Sequence, residues 1–185
     1  MNKTGQAEYQ RVFLIEQLPE PLLPKSAHLQ LFDNYIEGTR LRLRTVRDPY
    51  TKEWTYILQQ RIEIDRFAES RLAEIYLDET EHAAFERFEG REIRKNRYFH
   101  EFDGVSVAFD VYLGRLWGLH TAIVRFDGPE ERDAYEPPPF AVFEITREGF
   151  FSGWNLVEKE FAAIQAEVTK LERLTPAPAT AGGED

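Results

Sequence analysis

The sequence predicts an α+β domain whose centre is a barrel or strongly curved sheet of antiparallel strands. Two observations carry that reading. Most of the chain falls into short segments of period-two alternation, separated by turn signals such as Arg47-Asp48-Pro49-Tyr50 and Phe102-Asp103-Gly104, which read as hairpins. Within two of these segments cations line up: Arg40, Arg42 and Arg44 take one face of a strand and Leu41 and Leu43 the other, while Lys95 and Arg97 share a face. Like charges side by side repel, so a protein that aligns several of them usually has an anion to neutralise them.

Taken in order, Glu8 to Ile15 alternates and is bounded by the turn signal Leu18-Pro19-Glu20-Pro21. Further strands are expected at about 35–47, 54–64, 72–78, 92–101, 105–113, 120–127 and 141–147. A helix is expected from Asp78 to Arg87, with an acidic first turn and a stop before Gly90. A short one follows from Pro129 to Tyr135, opened by proline and ended by Pro137-Pro138-Pro139. The last runs from about Asn155 to Leu174, where Val157, Phe161, Ile164, Val168 and Leu171 form a stripe suited to core packing. Residues 1–174 then make one domain, and the low-complexity stretch 175–185 is expected to be disordered.

Composition narrows the function. The 185 residues include 14 Phe, 8 Tyr and 3 Trp, enough apolar material for a core. No apolar run approaches the ~20 residues that cross a bilayer, and the first residues lack the apolar stretch of a signal peptide. With no cysteine there is no disulfide framework or thiolate chemistry, which fits a cytoplasmic location. A net charge of −10 argues against nucleic acid and anionic membranes as partners, since the overall field repels phosphate. A basic interior inside an acidic shell is compatible with all of this. The four histidines are scattered without metal-ligand spacing, and no motif supports a serine nucleophile.

In order along the chain, several segments resemble the CYTH superfamily, the triphosphate tunnel metalloenzymes. Glu8-Tyr9-Gln10-Arg11-Val12-Phe13-Leu14-Ile15 is similar to the family's opening strand, Glu-x-Glu-Arg-Lys-Phe-Leu-Val. Asp33 through Arg44 resembles the second strand, and Leu58-Gln59-Gln60-Arg61 stands where Leu-Thr-Gln-Lys is common. Ile93-Arg94-Lys95-Asn96-Arg97 matches an Ile-x-Lys-x-Arg element. Phe109-Asp110-Val111-Tyr112 through Gly118-Leu119 matches an Asp-x-Tyr and Gly-Leu stretch, and Pro137 to Thr146 ends in the family's Glu-Val-Thr pattern as Glu144-Ile145-Thr146. The resemblance spans roughly residues 8–165, and its force lies in six weak motifs keeping their order.

That resemblance implies an eight-stranded antiparallel barrel enclosing a tunnel, flanked by helices that include a long C-terminal one. It also implies basic residues that grip a triphosphate and glutamates that hold Mg²⁺ or Mn²⁺. The expected phosphate-binding residues are Arg42, Arg44, Arg61, Lys95 and Arg97, whose types suit a chain of phosphates. The expected metal ligands are reduced to Glu8 and Glu144. Gln10 replaces the second acid of the opening strand, Val12 the usual lysine, and Ile123-Val124-Arg125-Phe126 removes both acids of a Glu-x-Glu-Phe strand. Glu74-Ile75-Tyr76 likewise keeps one acid of a pair. A hard divalent cation wants several oxygen ligands, so the metal half is weakened.

Three functions follow. The first is a binding module for a phosphorylated small molecule, a triphosphate or nucleotide. The second is a Mg²⁺- or Mn²⁺-dependent triphosphatase with a site rebuilt from Glu8, Gln10, Glu144 and Asp110 or Glu74. The third is a structural or interaction protein whose interior has closed, with Arg125 and Glu144 forming internal ion pairs. Divalent-metal dependence separates them.

Overall fold

The computed structural model describes residues 5–65, 68–88 and 90–174. Eight strands run in antiparallel succession: β1 (Gln6–Leu14), β2 (His28–Tyr35), β3 (Leu41–Arg47), β4 (Trp54–Asp65), β5 (Glu69–Leu77), β6 (Arg91–Phe102), β7 (Val105–Tyr112) and β8 (His120–Phe126). Around the sheet their order is β5-β4-β3-β2-β6-β7-β8-β1, and β1 returns to β5. Closure uses both edges of β1. Tyr9 to Leu14 pair with β8 along one edge, and Gln6 to Tyr9 pair with β5 along the other. A two-residue strand β9 (Phe143–Glu144) pairs with Leu14 and Phe13 of β1. The closed barrel leaves none of the eight strands wholly unpaired along one side.

Local chemistry sets the hairpins. Between β6 and β7 the two turn residues Asp103 and Gly104 both have positive φ, 50° and 77°, which suits a two-residue turn between twisted strands. Between β3 and β4 the Asp48 carboxylate accepts the backbone N–H groups of Tyr50 and Thr51 at 2.8 and 3.2 Å.

Four α-helices lie among the described residues: α1 (Glu79–Phe85), α2 (Pro129–Ala134), α3 (Gly153–Leu156) and α4 (Phe161–Leu174). The single helix expected from Asn155 to Leu174 is thus divided between α3 and α4. The strand expected at 35–47 is instead two strands and a turn: Gly38 takes φ 69°, and Thr39 bonds back to the Ile36 carbonyl through both its N–H and its hydroxyl. Strand β2 goes unread in the sequence because Asp33 interrupts the face that Leu29, Leu31 and Tyr35 share. The strand expected at 141–147 shrinks to β9, although Val142 and Ile145 still donate to the Leu14 and Val12 carbonyls. The tail 175–185 lies outside the described residues. No described helix is long and apolar enough to cross a membrane.

The apolar core is not inside the barrel. Phe13, Ile15, Tyr98, Val107, Phe109, Ala122 and Val124 point outward and are covered by Leu18, Leu22, Tyr135 and Phe140. A second cluster joins one end of the barrel, at Leu14, Tyr35, Ile93 and Tyr112, to the C-terminal segment through Ile145, Leu156, Val157 and Ile164. Since side chains alternate across a strand, the opposite parity of β1, β7 and β8 is left to face the lumen. There the chain places Gln10, Val12, Asp110, Thr121, Ile123 and Arg125.

Candidate functional site

The lumen is a cavity of about 130 Å³ walled by strands β1 to β4 and β6 to β8 and covered on one side by residues 145–154. All five expected phosphate-binding residues meet on it: Arg42 and Arg44 from β3, Arg61 from β4, Lys95 and Arg97 from β6. Arg40 reaches it from the β2–β3 turn and Arg125 from β8. The period-two spacing explains the convergence, because Arg42 and Arg44, or Lys95 and Arg97, sit two residues apart on the inward side. Seven cations therefore face one small space inside a protein whose net charge is −10.

Two buried carboxylates hold four of these cations in place. Asp33 of β2 is fully buried and grips Arg44 in a bidentate pair, at 2.6 Å from Nε and 2.7 Å from Nη2. It also lies 3.4 Å from Arg42 and 3.7 Å from the Lys95 Nζ. Asp110 of β7 does the same for Arg97, at 2.6 and 2.7 Å, and accepts Lys95 at 2.7 Å. Register makes these pairs: Asp33 stands opposite Arg44 and Asp110 opposite Arg97 on neighbouring strands. Arg42 is steered separately, with Nε donating to Gln59 Oε1 at 2.8 Å and a guanidinium nitrogen 3.2 Å from the Tyr35 hydroxyl.

The electrostatics follow from this geometry. Burial opposes the charge on Asp33, yet the Arg42 and Arg44 guanidiniums outweigh it and hold its carboxyl well below the usual range. Asp110 is held low in the same way, against burial, by Arg97 and Lys95. Burial acts on Lys95 in the other direction, pulling its ammonium down to about 8 although Asp110 and Asp33 resist, with Arg97 and Arg44 adding repulsion. Tyr112, over whose ring the Lys95 ammonium lies at 5.3 Å, is pushed up by burial and by Asp110.

The two expected metal ligands are not brought together. Glu8 faces the lumen, where its Oε1 accepts Arg125 Nε at 2.9 Å and its Oε2 accepts Arg61 Nη2 and the Ser70 hydroxyl. Burial raises this carboxyl, but Arg61 and Arg125 overcome that and keep it low. Glu144 lies on the outer side of the barrel, because β9 places it opposite Phe13. Its carboxylate is taken by Arg11, with Nε at 3.0 Å, and by the Thr146 hydroxyl at 2.6 Å. Glu74, another expected acid, accepts Gln59 Nε2. Among the described residues no three acids or histidines are grouped to hold a metal.

Sequence reasoning missed Asp33, Gln59 and Tyr35 as parts of the site. A signal for Asp33 exists: an acid two residues before Tyr35, ahead of the basic strand, with the parity of a partner for Arg44. It is readable only once β2 is recognised as a strand. Asp110, a candidate acid for a rebuilt metal site, is instead the buried acceptor of Arg97 and Lys95.

A closed antiparallel barrel with a cation-lined lumen defines a tunnel protein. Two crystal structures of the protein NE1496, described once as a hypothetical protein and once as an inorganic triphosphatase, share this fold at a TM-score of 0.57 and 25% identity. The likeness covers 83% of this chain and 99% of theirs in the first case, and 82% and 95% in the second. A protein from Hippeastrum, described as a putative adenylyl cyclase with a dominant triphosphatase activity, matches at a TM-score of 0.42 and 12% identity over 68% of this chain and 82% of its own. No protein-family model matches the chain, and no curated protein matches it by sequence. Its barrel, strand order and likeness to NE1496 place it in the CYTH, or triphosphate tunnel, superfamily.

Proposed function

We propose that the barrel binds a phosphorylated small molecule, a triphosphate or a nucleotide, by its phosphate chain. The observation that carries this is the meeting of Arg42, Arg44, Arg61, Lys95 and Arg97 on one enclosed cavity inside an acidic protein. The description of NE1496 as an inorganic triphosphatase supports a phosphate chain as the ligand. Asp33 and Asp110 use two of the five donors of Arg44 and of Arg97 and leave the rest of each planar fork for the lumen. Side chains fixed before the ligand arrives lose less entropy when it binds. The Arg61 Nε is buried and has no hydrogen-bond partner among the described residues, a donor that a phosphate oxygen would satisfy.

The resemblance to the family implies Mg²⁺ or Mn²⁺, and the residues present do not fit such an ion. A hard cation needs several oxygen ligands, with carboxylates supplying most of the charge. Here Glu8 is held between two arginines, Glu144 is outside the barrel, and Gln10, Ile123 and Arg125 line the lumen. Binding is therefore the leading reading, and hydrolysis the second. The hydrolytic reading rests on NE1496 and would show itself as phosphate release that requires Mg²⁺ or Mn²⁺. A chain without cysteine suits work in the cytoplasm.

The test is thermal or urea denaturation with inorganic triphosphate. Ligand in large excess over its dissociation constant should add about 2–4 kcal/mol of apparent stability. The informative variant is Arg42→Gln with Arg61→Gln, because Asp33 keeps Arg44 and Glu8 keeps Arg125 when they are removed. Arg97→Ala is a poorer choice, since it strips a bidentate partner from buried Asp110. The double variant should fold and lose the stabilisation; if the stabilisation survives, the anion sits elsewhere.

A further inference from the structure

Resting on that reading, the arrangement around Glu8 says in which form the phosphate chain enters. The inward positions of β1 and β8 are paired by register, Gln10 with Arg125 and Val12 with Ile123. On this wall Glu8 is the one inward carboxylate among the described residues of the two strands, and both its oxygens are engaged. Arg125 Nε holds Oε1 at 2.9 Å; Arg61 and Ser70 hold Oε2. The Glu8 side chain is 12% exposed, while Arg125, at 45%, still presents much of its guanidinium to solvent and ligand. So the wall carries one anion between two fixed cations. A divalent ion placed there would have to displace both arginines and sit beside their positive charge, with Glu63 of β4, which also lines the cavity and lies close enough to feel the charge of Glu8, as the further carboxylate on offer.

We infer that the tunnel takes its phosphate chain as the free anion, without a divalent metal, and that Arg125, anchored on Glu8, supplies the positive charge at that end of the chain. Arginine suits this role, because its fork can hold Glu8 with one edge and phosphate oxygens with the other. Magnesium then acts against binding. In solution it chelates the triphosphate, lowers its charge and occupies the oxygens that Arg42, Arg61 and Arg125 would grip.

Calorimetric titration of the full chain with inorganic triphosphate tests this, once in EDTA and once in millimolar Mg²⁺. Binding in EDTA is expected, with an apparent affinity that falls several-fold or more in Mg²⁺ as the free anion is depleted. Arg125→Gln, which leaves Glu8 paired to Arg61, should weaken binding in EDTA at least tenfold, and Arg125→Lys should restore most of it. Affinity tenfold tighter in Mg²⁺, or binding seen only with metal, would overturn the inference while leaving the phosphate-binding reading intact. Arg125→Gln binding like the parent in EDTA would overturn it as well. Absence of binding in both conditions would overturn both. Should Arg125→Gln fail to fold, the comparison of EDTA with Mg²⁺ on the unmodified protein still decides.

Discussion

Lys95 offers the sharpest test of the interior, because its charge should move stability and binding in opposite directions as pH rises. Lys95 is 7% exposed, its ammonium packed between Asp33, Asp110, Arg44 and Arg97, and burial pulls its pKa from 10.5 to about 8. Between those two values the unfolded chain holds a proton that the folded chain has released, so folding becomes more favourable with rising pH. The gap is about 2.5 pH units, which at 1.36 kcal/mol per unit amounts to roughly 3 kcal/mol gained between about pH 8 and 10.5. A phosphate chain needs the ammonium charged. Above pH 8 it must therefore recruit a proton, and its affinity should fall by up to tenfold per unit. Urea denaturation from pH 7.5 to 10, paired with titration of inorganic triphosphate over the same range, measures both trends. Lys95→Met supplies the control, since the titration of the ligand itself is common to both proteins and cancels. Tyr35 and Tyr112 are both raised from their ordinary value, so they stay neutral through the window. Parallel stability curves for the parent and Lys95→Met would refute the reasoning.

Asp110→Asn should cost about 3–5 kcal/mol of unfolding free energy, read from urea midpoints, because it leaves buried Arg97 without its bidentate partner and Lys95 with only the more distant Asp33; a loss below about 1 kcal/mol would mean the pairs are not buried as described. Since Asp110 is held below the usual carboxylate range, its stabilisation is present above its unfolded pKa and lost only as pH falls through the lower folded value, so acid titration of Asp110→Asn should lack that step. Glu144→Gln, on the outer side beside Arg11, should leave the affinity for inorganic triphosphate unchanged in calorimetry; a loss would place Glu144 at the ligand. Gln10→Glu, Ile123→Glu and Arg125→Glu together should raise phosphate release in Mg²⁺ or Mn²⁺ above that of the parent if the fold tolerates the acids, since metal neutralisation of a transferring phosphoryl group contributes several kcal/mol. Brisk metal-dependent release by the unmodified protein that Glu8→Gln abolishes would instead favour the hydrolytic reading.

What the sequence determined by itself is local and periodic. Alternation at two residues made strands of 54–64, 92–101, 105–113 and 120–127. The pair Asp103-Gly104 set a hairpin, and the parity of Arg42 with Arg44 and of Lys95 with Arg97 put each pair on one face. Each of these follows from backbone geometry between near neighbours. Strand β2 was hidden for the same reason: its inward face carries Asp33, so it lacks the apolar rhythm by which strands are found. Only closure of the barrel decided the rest. Meeting β8 on one edge and β5 on the other makes β1 bring Glu8 between Arg61 and Arg125, residues 53 and 117 positions away. The two-residue strand β9 turned Glu144 outward, though its sequence context resembles that of an inward acid. Parity tells which residues share a face, but which face becomes the lumen, and which charge meets which across it, depends on pairings between distant strands that no local pattern encodes.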